Sequence, residues 1–254
     1  MLQDTRRRIG LLLALVAVSL VVPCATQAQD APRVHIAAFG LWGEEAIFRR
    51  ETNGAAKAAA AYFAAKGQVI ARSNTKDVAE ARLSDIREQL KSIADGANRA
   101  DDILFLFLTS HGTPEGVGIV TPSEKRAELL SPRRLGRVLR DVDVRHKIVV
   151  ISACYSGVFA DALASDTTLV ITAADAFHPS FGCGADVKDD WTYFGRAFFV
   201  DGLQPGRSLD DAFRIAKARV RDREKAEKFD HSNPQMRGGK AVKARLAAML
   251  APAN

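Results

Sequence analysis

The stretches ILFLFLTSHG, residues 103–112, and IVVISACYSG, residues 148–157, decide the fold. Each begins with a continuous apolar run and ends near a reactive side chain, His111 in the first and Cys154 in the second. Short apolar runs between polar flanks are typical of strands buried on both faces, as in a parallel sheet covered by helices. Ligands of such sheets bind beyond the carboxyl ends of the strands. The two stretches therefore predict that a thiol and an imidazole meet at one edge of a sheet.

Strand and helix patterns alternate on both sides of these two stretches. Further strands are predicted over residues 34–39, 68–72 and 168–173, and helices over residues 52–65, 83–93, 132–140, 158–164, 191–201 and 208–228. Ser131 and Pro132 predict an N-cap and first turn for the third of these helices. Residues 113–131 are expected to form a loop, because they contain Gly116, Gly118 and Pro122. The alternation predicts an α/β sandwich around a mostly parallel sheet of about five to six strands.

The first 28 residues have the pattern of a secretory signal. Arginines at positions 6–8 precede an uncharged run over residues 9–22, and small residues follow up to Ala28. The run is shorter than the roughly 20 residues of a membrane-spanning helix, so we expect cleavage after Ala28 and no stable membrane insertion. A lipid-modified Cys24 is the alternative, which the preceding proline disfavours. Residues 29–254 are then expected to form a single domain of a periplasmic or secreted protein.

Charge and cysteine content narrow the classes of function. Removal of the signal takes away three positive charges and one negative charge, which lowers the formal net charge from +6 to +4. Because no basic patch is interleaved with aromatic residues, we expect no nucleic-acid partner. Cys154 and Cys183 are left in a compartment that permits a disulfide, but a thiol beside a histidine favours chemistry over a structural bridge. A zinc site that includes His178 is a weaker alternative, since no CxxC or HxxxH spacing is present.

Cys154 and His111 carry the chemistry expected of acyl transfer. A thiolate attacks a carbonyl carbon well, and Cys154 precedes a predicted helix whose first amide groups favour negative charge. Because imidazole side chains titrate near neutral pH, His111 is suited to protonate a leaving amine and later to activate water. The backbone N–H groups of Gly112 and Cys154 are candidates for holding the developing oxyanion. The sequence thus predicts a nucleophile, a proton carrier and an oxyanion site.

Six segments strengthen this interpretation because they occur together and in order. They are LTSHG (108–112), SACYSG (152–157), LVITAA (169–174), SFGC (180–183), TYFGRAFF (192–199) and SNPQ (232–235). The chain resembles the legumain-like cysteine peptidases, family C13 of the caspase-related clan, and in particular their secreted bacterial branch. The resemblance implies a caspase-like α/β/α sandwich, with Cys154 as nucleophile, His111 as its partner and the Gly112 amide in the oxyanion hole. It also implies a peptide or protein substrate and no metal or organic cofactor.

The candidate substrate pocket departs from that of plant and animal legumains, which favour asparagine before the cut and hold its side chain with acidic residues. This chain has Ser152 where one of those acids stands, and Arg196 where another stands. Arg49 and Arg50 occupy the segment in which the family places a pocket arginine, and Ser180 of the SFGC segment is a further candidate. We expect the preference to move away from asparagine, towards an acidic side chain that pairs with Arg196.

Two alternatives to a peptidase remain open at this point. A transamidase or transpeptidase would use the same active-site residues, whereas a non-catalytic member of the fold would use the site only for binding. The polar stretch over residues 224–243 is a candidate processing site, because such exposed polar segments are preferred by proteases.

Overall fold

The fold is organised around two β-sheets and the helices that cover them. The computed structural model describes residues 31–184 and 189–250, so the signal sequence predicted over residues 1–28 lies outside the described residues. The strands are β1 (Val34–Gly40), β2 (Val69–Ser73), β3 (Ile103–Thr109), β4 (Gly112–Thr113), β5 (Gly116–Thr121), β6 (Arg126–Leu130), β7 (His146–Ser152), β8 (Thr168–Thr172) and β9 (Gln235–Gly238). The helices are α1 (Ala46–Tyr62), α2 (Leu83–Gly96), α3 (Pro132–Asp141), α4 (Ala160–Leu163), α5 (Tyr193–Gly195), α6 (Leu209–Ala226) and α7 (Lys240–Leu250). There are also 3₁₀ turns at Pro122–Glu124 and Ser156–Phe159 and a π-helical segment at Arg196–Gly202.

The larger sheet has the strand order β2-β1-β3-β7-β8-β9. β9 pairs antiparallel with β8, and the other neighbours pair in parallel. Thr109 of β3 pairs with Gly40 of β1 on one side and with Ser152 of β7 on the other, so the carboxyl ends of these strands are level. This six-stranded sheet confirms the predicted mostly parallel sheet, and the chain leaves β3 and β7 at the same edge.

β3 is buried along its whole length, and its alternate side chains enter two different cores. Phe105 and Phe107 pack on one face of the sheet with apolar residues of α1, α6 and α7. Leu104 and Leu106 pack on the other face with residues of α2 and α3. Because successive side chains of a strand point to opposite faces, a strand between two helix layers needs a continuous apolar run. The predicted α/β/α sandwich is confirmed.

The helices contact the sheet through apolar stripes visible in the sequence. In α2, Ile86 and Leu90 are fully buried at helical spacing, as predicted. α3 begins as predicted, because the Ser131 hydroxyl oxygen accepts a hydrogen bond from the Arg134 backbone N–H at 3.3 Å and Pro132 opens the first turn. In the part of the chain that the structure describes, no helix combines the length and the apolarity needed to cross a membrane.

Three regions differ from the sequence-based expectations. α1 begins at Ala46 rather than at residue 52, because the buried Ile47 and Phe48 extend its apolar face ahead of the alanines. Residues 113–131 do not form a loop, since β4, β5 and β6 make a small antiparallel sheet. The stretch 224–243 contains β9 and the start of α7, neither of which was predicted. β9 has only four residues and α7 few large apolar ones, so their sequence patterns are weak.

Candidate active site

His111 and Cys154 lie at the same edge of the larger sheet. His111 follows β3 by two residues and Cys154 follows β7 by two, and these strands are neighbours in register. Gly112 packs directly on the Cys154 backbone, because a Cβ atom at position 112 would overlap the Cys154 carbonyl oxygen. Glycine is required where two backbones approach this closely. The structure therefore brings together the predicted Cys154, His111 and Gly112.

A tight turn presents Cys154 at the end of β7. Tyr155 adopts a left-handed backbone conformation with φ of 53°, which costs a residue with a side chain about 1 kcal/mol. Its N–H donates a hydrogen bond to the His178 carbonyl at 3.0 Å, which fastens the turn to the loop after β8. Among the described residues, the Cys154 N–H donates to no backbone acceptor. That N–H thus remains available as a donor at the site.

The sulfur of Cys154 is held by the loop after β8. The Ser180 backbone N–H and carbonyl oxygen each lie 3.3 Å from Cys154 Sγ, and the Ser180 hydroxyl lies 3.9 Å from it. A hydrogen bond from the Cys183 thiol, those from Ser180 and the charge of His111 lower the pKa of Cys154 to about 6, against the opposing effect of burial. A thiol with such a pKa is mostly thiolate at neutral pH.

Cys183 is the second thiol of the site. Both Cys154 and Cys183 are free, and Cys183 Sγ lies 3.9 Å from His111 Nδ1. The hydrogen bond to Cys154, together with burial, raises the pKa of Cys183 well above its usual range. The paired shifts therefore favour a protonated Cys183 beside an anionic Cys154. The opposite pKa shifts of the two thiols distinguish an anionic sulfur at Cys154 from a protonated one at Cys183.

Glu45 orients the His111 ring from the residue just before α1. Glu45 Oε1 lies 2.9 Å from His111 Nε2. The rings of Trp42 and Phe48 meet the imidazole edge to face, with centroid distances of 4.8 and 5.0 Å. Because Nε2 is bonded to Glu45, Nδ1 is left on the side of the Cys183 sulfur. Glu45 was not predicted, since a single glutamate after β1 belongs to no motif in the sequence.

A buried carboxylate contacts Ser152, two residues before Cys154 in the chain. Glu51 of α1 is fully buried, and its oxygens accept hydrogen bonds from the hydroxyls of Thr109, of Thr192 at 2.6 Å and of Ser152 at 3.5 Å. Burial raises the pKa of Glu51 to about 6, although these hydrogen bonds oppose the rise. Ser152, a predicted substrate-binding residue, is itself buried, and its hydroxyl is occupied by Glu51 and Thr192.

The predicted pocket arginines occupy three different settings. Arg49 is exposed on α1, one turn beyond Glu45. Arg50 is half-buried and forms an ion pair with Asp190 at 3.0 Å. Arg196 is exposed and borders a cavity on the α6 side whose lining does not include the reactive thiol. The structure therefore brings the two α1 arginines near the helix start that orients the imidazole, and it places Arg196 beside a separate cavity.

Comparison with known proteins assigns this chain to a family. The description "Peptidase C13 family" belongs to a family model that matches residues 47–243. The chain belongs to the peptidase C13 family. The resemblance drawn from the sequence motifs is thus confirmed, and C13 membership supports a cysteine peptidase-type function. Glu45 lies just before the matched segment of this C13 chain, whereas Cys154 and His111 lie within it.

A caspase shares the fold of this C13 chain. The crystal structure of Caspase-1 from Spodoptera frugiperda matches with a TM-score of 0.53 at 14% sequence identity, and the match covers 82% of this chain and 86% of that chain. At such low identity the likeness shows the fold alone, and it confirms the predicted caspase-like sandwich. No curated protein matches the C13 chain. Within the described residues, no group of three or more His, Cys, Asp or Glu side chains is arranged to hold a metal ion.

Proposed function

We propose that this C13 protein is a cysteine endopeptidase that cleaves peptide bonds through a Cys154–His111 dyad and an acyl-enzyme intermediate. The observation that carries the proposal is the lowered pKa and the hydrogen-bonded setting of the Cys154 sulfur, beside His111 at the carboxyl edge of the sheet. A cysteine with a purely structural role in apolar surroundings has a raised pKa and is not stabilised as a thiolate. The substrate class is a peptide or a protein, as the family indicates.

The reaction proceeds in two halves. The Cys154 thiolate attacks the carbonyl carbon of the scissile bond, and the oxyanion that forms accepts hydrogen bonds from the N–H groups of Gly112 and Cys154. His111 then donates its Nδ1 proton to the leaving nitrogen, the C–N bond breaks, and a thioester and a free amine result. Neutral His111 next takes a proton from water, whose oxygen attacks the thioester and releases the carboxylic acid and the thiolate.

Glu45 is a positioning residue in this scheme. Its bond to Nε2 fixes the ring orientation and stabilises the imidazolium that forms while the thiolate waits for substrate. Trp42 and Phe48 prevent the ring from turning, because both contact it edge to face. Cys154, His111 and Glu45 therefore act as nucleophile, proton carrier and orienting carboxylate, the division of labour that a hydrolytic triad requires.

Substrate preference is proposed to follow the cation on α1. Arg49 lies four residues beyond Glu45, so the two side chains share one face of the helix start. We propose that this exposed guanidinium, one turn after the residue that holds the imidazole, favours an acidic side chain in the substrate over asparagine. Arg50 forms an ion pair with Asp190. We propose that it fixes the segment that contains Asp190 and does not contact the substrate. The Ser180 backbone N–H donates a hydrogen bond to the Cys154 sulfur, and we propose that the Ser180 backbone also contacts the substrate.

Labelling with a thiol-directed peptide electrophile tests the proposed nucleophile. We expect the full chain to be labelled at Cys154 at neutral pH, and Cys154→Ser to abolish the label. Cys183→Ser is the matched control, because it removes the neighbouring thiol while it leaves the nucleophile in place. His111→Ala should abolish turnover of a peptide library. An unreactive Cys154, or a label found at Cys183, would contradict the proposal and favour a binding function.

Products and location are tested separately. Peptide libraries incubated with and without an added amine distinguish hydrolysis from transpeptidation, and we expect free carboxylic acids as the main products.

We further propose export across the inner membrane with removal of residues 1–28, as the arginines and apolar run indicate. N-terminal sequencing of the protein recovered from the periplasm or medium should begin at Gln29. Full-length protein in the cytoplasm would contradict export without affecting the proposed chemistry.

A further inference from the structure

A cavity of about 700 Å³ lies at the opposite edge of the sheet from Cys154. Its lining comes from the amino ends of β7 and β8, the carboxyl ends of α3 and α4, and the turn before β3. Lys147 lies at the start of β7, five residues before Ser152, so about 17 Å of strand separates the cavity from the carboxyl edge. An occupant of this cavity would not compete with a peptide substrate.

The lining is strongly positive. It contains Arg99, Arg140, Arg145 and Lys147, and Asp143 is the one acidic side chain among the lining residues. Arg99 is paired with Asp143 at 2.6 Å. In the part of the chain that the structure describes, the other three cations form no ion pair with a carboxylate. The lining residues therefore carry a formal net charge of +3.

The burial of Lys147 shows how the cavity wall affects a positive charge. The side chain is half-buried in the cavity wall, and its ammonium group donates a hydrogen bond to the Val144 carbonyl oxygen. Burial lowers the pKa of Lys147, since a partly desolvated ammonium is less stable than one in water, and the charge of Asp143 opposes this shift only in part. An anion in the cavity would restore the lost solvation. A partly buried ammonium that forms no ion pair is therefore stabilised by an anionic ligand.

Hydroxyl groups also line the cavity together with these cations. Ser165, Thr167 and Thr168 contribute hydroxyl-bearing side chains to the lining on the side of β8. Arg140 lies against Gly136 of the same helix, where a Cβ atom would come within 3.5 Å of its Nη1 atom. Because position 136 has no side chain, the guanidinium has space at the cavity edge. Arginine forks and hydroxyls are the groups that bind phosphoryl oxygens in pairs.

We propose that this cavity binds an anion carrying two or more phosphoryl groups, at a site separate from the peptidase centre. The net charge, the volume and the combination of guanidinium, ammonium and hydroxyl groups all fit such a ligand. The phosphoryl groups have two chemical sources, a soluble polyphosphate compound or the headgroup of an anionic lipid. The proposal does not depend on the peptidase activity, because binding is measured with a Cys154→Ala protein.

Calorimetric titration of the Cys154→Ala chain with inorganic pyrophosphate, in metal-free buffer at low salt, tests the proposal. Co-sedimentation with vesicles of phosphatidylglycerol, compared with phosphatidylcholine, tests the lipid source in parallel. The double variant Arg140→Gln with Arg145→Gln should weaken binding at least about tenfold, because it removes two of the three unpaired charges. Lys147→Gln should weaken it separately. The matched control is Arg72→Gln with Arg87→Gln, two exposed arginines outside the lining.

The two arms identify the source, and either one supports the site. Pyrophosphate binding that the cavity variants weaken and the control does not would assign a soluble ligand. Binding to phosphatidylglycerol vesicles with the same dependence, without pyrophosphate binding, would assign a lipid headgroup. Absence of binding to both probes would overturn the proposal. Equal weakening by the cavity variants and by the control would also overturn it, because the effect would then reflect overall charge.

Discussion

Glu51→Gln is expected to change how the stability of this protein depends on pH. The Glu51 carboxyl is fully buried, and burial raises its pKa from the ordinary 4.5 to about 6. A folded-state pKa above the unfolded one means that folding favours the protonated form. The stabilising effect is complete below about pH 4.5 and is lost as the pH rises through 6. The difference between the two pKa values corresponds to about 2 kcal/mol of unfolding free energy.

The assay compares urea unfolding of the two proteins across this range. Both are made in the Cys154→Ala background, so that self-digestion does not disturb the equilibrium. A glutamine keeps the size of Glu51 and cannot ionise. Relative to its parent, the Glu51→Gln protein should gain about 2 kcal/mol of unfolding free energy between about pH 4 and pH 7.5. Glu88→Gln, at an exposed position on α2, is the matched control and should show no such change.

The result that refutes this reasoning is a difference between Glu51→Gln and its parent that stays constant with pH. A constant loss would mean that the hydroxyls of Thr109, Ser152 and Thr192 solvate the carboxylate as well as water does. A change of opposite sign would mean that the ionised form is the favoured one in the folded protein. Either outcome would show that hydrogen bonds, rather than burial, dominate at Glu51.

Three further predictions concern the active site and one helix. Glu45→Gln should lower kcat at least about tenfold and shift the pH profile of kcat, because a neutral amide does not stabilise the imidazolium at Nε2. Cys183→Ala should move the midpoint of Cys154 alkylation by iodoacetamide above pH 6, since the hydrogen bond from Cys183 is the largest cause of the lowered pKa. Ser131→Ala should lower the unfolding free energy by about 1 kcal/mol through loss of the α3 N-cap, measured by urea unfolding.

Each of these has a control and a contradicting outcome. For Glu45, full activity of the glutamine variant would remove its positioning role, and Glu44→Gln, at the exposed neighbouring residue, should leave kcat unchanged. For Cys183, an unchanged alkylation midpoint would assign the low pKa to Ser180 and His111 instead. For the N-cap, an equal loss in Ser123→Ala would show that the effect is not specific to α3.

The two apolar runs allowed most of the sheet to be predicted. A strand that is buried on both faces is a continuous apolar run, and such a run can be recognised without knowing which strands pair with it. β4, β5 and β6 gave no such signal, since β4 has two residues, β5 contains two glycines and most residues of β6 are exposed. β9 depends on pairing with β8, which lies more than sixty positions earlier in the chain. Long-range pairing of this kind is absent from local periodicity, so the last strand could not be inferred from the sequence.

The residues of the site likewise divide into those that the sequence indicates and those that it does not. Cys154 and His111 follow strongly patterned strands, and topology alone brings adjacent parallel strands to one edge. Glu45 and Glu51 lie on or beside α1, where nothing in the local sequence distinguishes an orienting or buried carboxylate from a solvated one. Their roles depend on which side chains of the neighbouring strands they meet. The sequence also indicated no effect of Cys183 on Cys154, although the hydrogen bond from Cys183 is the largest cause of the lowered pKa of Cys154.

β9 completes the sheet from a position close to the end of the chain, between α6 and α7. While the polypeptide emerges from the ribosome or the translocon, β8 keeps a row of unsatisfied amide and carbonyl groups along its free side. Chains at that stage are candidates for chaperone capture or for pairing with one another. A cut within residues 224–243 that releases β9 would expose the same free side of β8, so we expect such a product to associate more readily than the uncut chain.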